Sequence, residues 1–192
     1  IAVSRGTEER RAGAEAIRRV LANAGAEVEQ GLLPLATGAK DNAYTAFLRS
    51  RIPELLVAMD SGDAERAANA AGRIAGCGAG LTPSSDDLLC GYFAAARILN
   101  RLNGVAERTA LIPAMARRAA DKTNRISATF LLQSGEGLVN SALLELLQSI
   151  FSGKDGAAIQ NAAEKVLSIG STSGGDTLTG VWLALTHQAG GI

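Results

Sequence analysis

The stretch GLTPSSDDLLCGYFAAARIL, residues 80–99, decides the fold. Its second half sets Leu88, Leu89, Tyr92, Phe93, Ala96 and Leu99 at helical spacing. Apolar residues over most of a helix's circumference mark a helix surrounded by others. Its first half has the chemistry of a loop. Gly80 and Pro83 interrupt regular structure, and Thr82, Ser84 and Ser85 place three hydroxyls ahead of the adjacent carboxylates Asp86 and Asp87. The stretch reads as a polar loop opening onto a central helix.

Working outward, the flanking sequence predicts more helices. Residues 7–24 start with Thr7 as a hydroxyl cap and Glu in the first turn, carry Ile17, Val20 and Leu21 on one face, and stop at Gly25. Residues 31–41, with Pro34 and two glycines, suit a loop. Leu48, Ile52, Leu55, Leu56 and Met59 follow a 3.6 period that Pro53 should break or restart. An Ala-rich helix follows over 64–75. Beyond the central helix, Leu111, Ile112, Met115 and Ala119 mark a helix with Pro113 near its start. Two more are expected over 127–132 and 138–151, separated by Gly135 and Gly137, then one over 157–167 and a last one running on from Leu178. Apolar and polar residues nowhere alternate convincingly. The expectation is an all-α globular domain of eight or nine helices. Residues 1–75 read as an N-terminal helical region, the remainder of a truncated domain, and 76–192 as the motif-bearing helical domain.

Composition sets the boundaries on function. The chain has 192 residues, 47% of them hydrophobic but only 4% aromatic, and 36 are alanine, which favours closely packed helices. Nineteen basic and nineteen acidic residues cancel, leaving no electrostatic footprint for nucleic acid or an anionic membrane surface. Arg outnumbers Lys fifteen to four, and Arg suits forked recognition of carboxylate or phosphate, although most such residues simply sit on solvated faces. Cys77 and Cys90 form no CxxC, and His187 is the single histidine, so neither a disulfide framework nor a His-based metal site is expected. Cys90, on the apolar helix, reads as a small buried residue and Trp182 as core. No apolar run reaches the ~20 residues of a membrane span and no leader is visible, which predicts the cytoplasm. The start Ile1-Ala2-Val3-Ser4 lacks a Met, as expected of a fragment or trimmed product.

The opening loop recurs. Residues 170–180 read GSTSGGDTLTG, and setting Asp87 on Asp176 aligns Ser84 with Ser173, Leu89 with Leu178 and Gly91 with Gly180, at an offset of 89 throughout. A hydroxyl three residues before a carboxylate is the sequence form of a capping box. These loops offer more than a cap requires: Thr82, Ser84 and Ser85 in one, Ser171, Thr172 and Ser173 in the other, with glycines that let backbone N–H groups converge on an anion. Gly91 and Gly180, one turn inside their helices, predict a close crossing with both loops at one end. Asp86, Asp87 and Asp176 would repel a phosphate unless a cation or Arg lay between them. Either they accept amide N–H groups of a substrate or they hold Mg²⁺, the one candidate cofactor. A third cluster, Thr123-Asn124-Arg125-Ile126-Ser127, opens another apolar run. Thr123 or Asn124 caps that helix, and Arg125 is placed to supply positive charge.

In this order and spacing, GLTPSSDDLLCGYFAA, TNRISATFL and GSTSGGDTLTGVWLAL resemble a bacterial family, for long a domain of unknown function, linked to the AllH-type subunit of oxamate carbamoyltransferase. The resemblance covers roughly residues 76–187. It rests on Gly80, Thr82, Pro83, Ser84, Asp86, Asp87 and Gly91, then Thr123 and Ser127, then Ser173, Gly174, Asp176 and Gly180; Ser85 departs from it, where Gly is expected. It implies one subunit of a multi-subunit cytoplasmic enzyme of anaerobic purine and allantoin breakdown. That enzyme interconverts oxamate plus carbamoyl phosphate with carbamoyl-oxamate plus phosphate. Members usually carry a further N-terminal portion. Such chemistry needs a phosphate cradle, a donor to the carbamoyl oxygen and an anchor for the oxamate carboxylate. The residue types then suggest Asp87, Asp176 and Arg125 as catalytic, and Gly80, Thr82, Ser84, Ser85, Asp86, Thr123, Ser127, Ser173 and Gly174 as substrate-binding, with no metal ligand assigned. The Ser-Thr-Arg-Thr and His-Pro patterns of ordinary carbamoyltransferases are missing, so the chain is an unrelated solution or a non-catalytic partner. Two other readings stand beside it: a Mg²⁺-dependent hydrolase like the ADP-ribosylglycohydrolases, and a helical assembly subunit whose loops only cap and pack.

Overall fold

The computed structural model describes residues 2–24 and 31–187. Eleven helices occur among them: α1 (Ala2–Ala22), α2 (Pro34–Thr37), α3 (Ala43–Arg49), α4 (Ile52–Ser61), α5 (Ala64–Ile74), α6 (Ser84–Leu102), α7 (Ala106–Ala120), α8 (Arg125–Glu136), α9 (Ser141–Phe151), α10 (Gly156–Leu167) and α11 (Ser173–His187). No strand is found among the described residues, so the all-α reading holds. No described helix is long and apolar enough to cross a membrane.

Several boundaries differ from expectation, each for a local reason. α1 begins before Thr7, whose hydroxyl accepts from the Arg10 guanidinium at 3.0 Å inside the helix instead of capping it. The segment expected as loop contains α2, started by Pro34 and closed by Gly38 at φ 76°, the usual placement of proline and glycine at helix ends. Pro53 does restart the chain, as a first-turn residue of α4. Pro113 lies within α7, not near its start, and that helix continues because Leu111, Ile112, Met115, Ala116 and Ala119 are all buried. α8 runs through Gly135, which leaves no room for a side chain: a methyl group there would meet the Ala116 Cβ at 2.5 Å.

The centre is the pair α6 and α11. α7 and α8 pack on α6, α1 and α10 on α11, and α5 backs α7. Contact between the central pair depends on glycine at the crossing. A Cβ on Gly91 would overlap the Thr177 carbonyl oxygen, and one on Gly180 would overlap the Leu88 carbonyl oxygen. Leu88 and Thr177 are themselves 89 apart, so the crossing has a local two-fold relation that brings the two helix N-termini to one end.

The third cluster reaches that end through Asn124. Its side-chain oxygen accepts from the N–H groups of Ile126 and Ser127 at 3.0 and 3.1 Å, capping α8, and its amide donates to the Leu81 carbonyl at 2.9 Å. Asn124→Ala is expected to lower stability by about 1 kcal/mol, read from urea denaturation. Asn124→Asp, which keeps the cap acceptors and loses only the Leu81 contact, should recover most of it.

Candidate functional site

Each loop enters its helix differently from a capping box. The residue before α6 is Pro83, which provides no side-chain cap, and Ser84 is already helical. The hydroxyls cross between loops. Ser173 faces Asp87 and Ser84 faces Asp176, and the Thr82 and Ser173 hydroxyls meet at 2.9 Å. Each serine thus serves the carboxylate of the other helix. Side chains of one loop alone would not reveal this exchange.

The three carboxylates have separate fates. Asp86 is fully buried; one oxygen accepts from the Gly76 N–H at 2.7 Å and the other from the Thr123 hydroxyl. It ties the end of α5 and the start of α8 to α6. Ser85 works beside it: its hydroxyl accepts from the Cys77 N–H at 2.8 Å, and its own N–H donates to the Cys77 carbonyl. Asp176 is also fully buried and accepts the Leu32 N–H at 2.6 Å, while its Oδ2 has no partner among the described residues. Gly31 lies against the same carboxylate, and its carbonyl accepts from the Asn42 amide at 2.8 Å.

Asp87 is the exception. It is 9% exposed, its Oδ2 likewise has no partner among the described residues, and it lines a cleft of about 510 Å³. Thr82, Ser173, Thr177 and Cys90 line it beside Asp87, Gln133, Ser134 and Asn140 add further polar groups, and Phe130, Leu138, Val139, Leu143 and Ile169 form its apolar part. Burial pushes the Asp87 carboxyl up to about 7, against the pull of the Ser173 and Thr82 hydroxyls and with the help of the Asp176 and Asp86 charges. Asp176 is pushed up to about 6 by burial, opposed by the Leu32 N–H and the hydroxyls of Ser84 and Thr172. Near neutrality Asp87 therefore divides between a neutral acid that donates and an anion that accepts. The Cys90 thiol is pushed well up by burial and by the carboxylates of Asp87 and Asp86, which keeps it from acting as a nucleophile.

Thus Asp87, Thr82 and Ser173 come together in the cleft, with Ser84 and Asp176 buried directly behind them. The other expected positions lie elsewhere. Gly80 is exposed in its loop at φ 89°, Gly174 packs against the Val166 and Leu167 carbonyls, and Ser127 is buried in the first turn of α8. Arg125 is exposed and, like every other described Arg and Lys, does not line the cleft. Among the described residues no group of three or more His, Cys, Asp or Glu side chains is placed to hold a metal ion. Two contributions had escaped sequence reasoning. The Leu32 N–H is a backbone group with no residue signature. The wall from α8 and α9 had a usable sign in Phe130 and Leu138, large apolar residues left 47% and 66% exposed.

A family model described as oxamate carbamoyltransferase subunit AllH matches residues 74–185, more than half of the chain. No solved structure matches it. The matched region contains α6, α8 and all but the last two residues of α11, but not Leu32, so one arm of the buried network comes from outside it.

Proposed function

We propose a function from one premise: the chain belongs to the AllH family, that of an oxamate carbamoyltransferase subunit. Within that assembly it binds the small anionic substrate, oxamate or carbamoyl phosphate, in the cleft over Asp87. One observation carries this reading: a buried carboxylate with an oxygen unpartnered among the described residues lines a cleft at the N-termini of two helices. A protein rarely leaves such a group without a partner unless its partner is a ligand. The N-terminal ends of the α6 and α11 dipoles favour negative charge. The apolar wall lowers the local dielectric and strengthens that effect.

Membership in a family of enzyme subunits implies other subunits. The exposed side chains of Leu81, Phe130 and Leu138 supply apolar surface beside the cleft for meeting them. We place the assembly in the cytoplasm and in anaerobic purine and allantoin catabolism, on the strength of the same resemblance. A Mg²⁺-dependent glycohydrolase is the second reading: Asp87 and Asp176 each keep an oxygen unpartnered among the described residues, fewer carboxylates than the several Asp ligands that reading calls for. Arg125, exposed at the start of α8, is proposed as a contact to the anion only once a partner subunit closes the cleft.

The test is chemical denaturation of the protein with oxamate, carbamoyl phosphate or phosphate, each with and without Mg²⁺. A substrate at a hundred times its Kd should stabilise by about 2.7 kcal/mol. Asp87→Ala should cut that increment to about half or less with either substrate. Stabilisation undiminished in Asp87→Ala would move the site away from the cleft.

A further inference from the structure

The local two-fold relation between α6 and α11 says more about the ligand. Around the crossing the environments of the two halves match: Gly91 faces Thr177 as Gly180 faces Leu88, and Ser173 serves Asp87 as Ser84 serves Asp176. Each carboxylate also has a threonine hydroxyl, Thr82 for Asp87 and Thr172 for Asp176. One partner is not duplicated. Asp176 additionally accepts a backbone amide, the Leu32 N–H at 2.6 Å, and lies sealed from solvent; Asp87, nine-tenths buried, has no such backbone donor and faces the cleft, and each keeps an Oδ2 that no described residue satisfies. The chain therefore contains a worked example of what this carboxylate and its hydroxyls bind.

Resting on the reading of the cleft as a substrate site, we infer that Asp87 accepts an amide N–H of the ligand, as Asp176 accepts that of Leu32. The ligand class is a small primary amide. The lining supports this choice over a bare phosphate or dicarboxylate, because it holds no Lys or Arg to offset a second negative charge beside Asp87. The Thr82 and Ser173 hydroxyls, 2.9 Å apart, face the same carboxylate and hold it in place while it takes the N–H. This assigns recognition of the amide end of the substrate to this chain.

The experiment compares oxamate with N,N-dimethyloxamate, which keeps the charge and both carbonyls but has no N–H, with oxalate as a third probe. Binding is measured by calorimetry at pH 8, on the full-length protein alone and with its partner subunits. Oxamate is expected to bind at least about tenfold more tightly than either comparator, the worth of one hydrogen bond to a charged acceptor. In Asp87→Ala, oxamate and N,N-dimethyloxamate should bind alike; Asp87→Asn, closer in shape, should narrow the preference in the same direction. Equal binding of oxamate and N,N-dimethyloxamate to the unaltered protein overturns the inference while leaving the substrate cleft standing, and so does a preference that survives Asp87→Ala. Binding of neither compound, alone or in the assembly, overturns the cleft reading itself and the inference with it. The first comparison needs no variant, so a folding failure cannot obscure it.

Discussion

Replacing Asp87 by Asn should stabilise the protein, and the gain should grow with pH. Burial raises this carboxyl from its ordinary 3.8 to about 7, so the folded state holds its proton more tightly than the unfolded chain does. The sign follows from linkage. Below about pH 4 both states are protonated and the group favours neither. Between there and about pH 7 the unfolded chain has released its proton while the folded protein retains it, so stability declines as pH rises. At about 1.36 kcal/mol per pH unit, the ionised Asp87 opposes folding by up to about 4 kcal/mol at pH 8, a ceiling that any water entering the cleft would reduce. Asn keeps the size and removes the ionisation. The stability difference between Asp87→Asn and the unaltered protein should therefore widen by about 3 kcal/mol from pH 5 to pH 8, read from urea midpoints at the two values. A pH-independent difference would show that Asp87 titrates as an ordinary surface carboxylate and does not face a low-dielectric cleft. A group that destabilises the fold at working pH and lines the proposed substrate cleft would be a familiar trade between stability and function.

The second large effect is at the helix crossing. Gly180→Ala should destabilise by about 3 kcal/mol, at the upper end of what overpacking usually does. In a helix, Ala is intrinsically better than Gly by about 1 kcal/mol, so a net loss reports the crossing and not helix propensity. The obstacle is the Leu88 carbonyl, a backbone group inside α6 that cannot rotate away. α6 and α11 must separate instead, which pulls apart the loops that exchange Ser84 and Ser173. Gly91→Ala meets the Thr177 carbonyl in the same way and should behave alike. Gly156, in the first turn of α10, is the control: an added Cβ there would meet nothing within 4 Å, so Ala should cause no loss. Equal effects at Gly156 and Gly180 would remove the crossing as the explanation.

Much of the architecture was legible in the chain itself. The periods of Leu88 to Leu99 and of Leu143 to Ile150, the capping asparagines at 124 and 140 and the closing glycines at 62 and 137 act within a few residues of one another. Local forces of this kind are written in sequence. So was the pairing of α6 with α11, because glycine about two turns into an otherwise apolar helix has few uses other than close approach. Helix ends were less legible where a long-range contact overrode the local signal: α1 extends past Thr7, and α8 passes through Gly135 to pack on Ala116.

Of the site, the sequence determined which residue types gather at the two N-termini, and that Asp87 and Asp176 correspond. It could not separate the roles of Asp86, Asp87 and Asp176. Adjacent positions in a helix point about 100° apart, so Asp86 turns inward to Gly76 and Thr123 while Asp87 turns to the cleft, a division that depends on which neighbours stand on each side. Nor could it show that Leu32, from 144 residues away, gives Asp176 a backbone donor for which Asp87 has no equivalent. A backbone N–H carries no residue label, and its arrival depends on how distant helices pack. The sequence made the two loops alike; the tertiary structure sealed one of them into a buried joint and left the other facing a cleft.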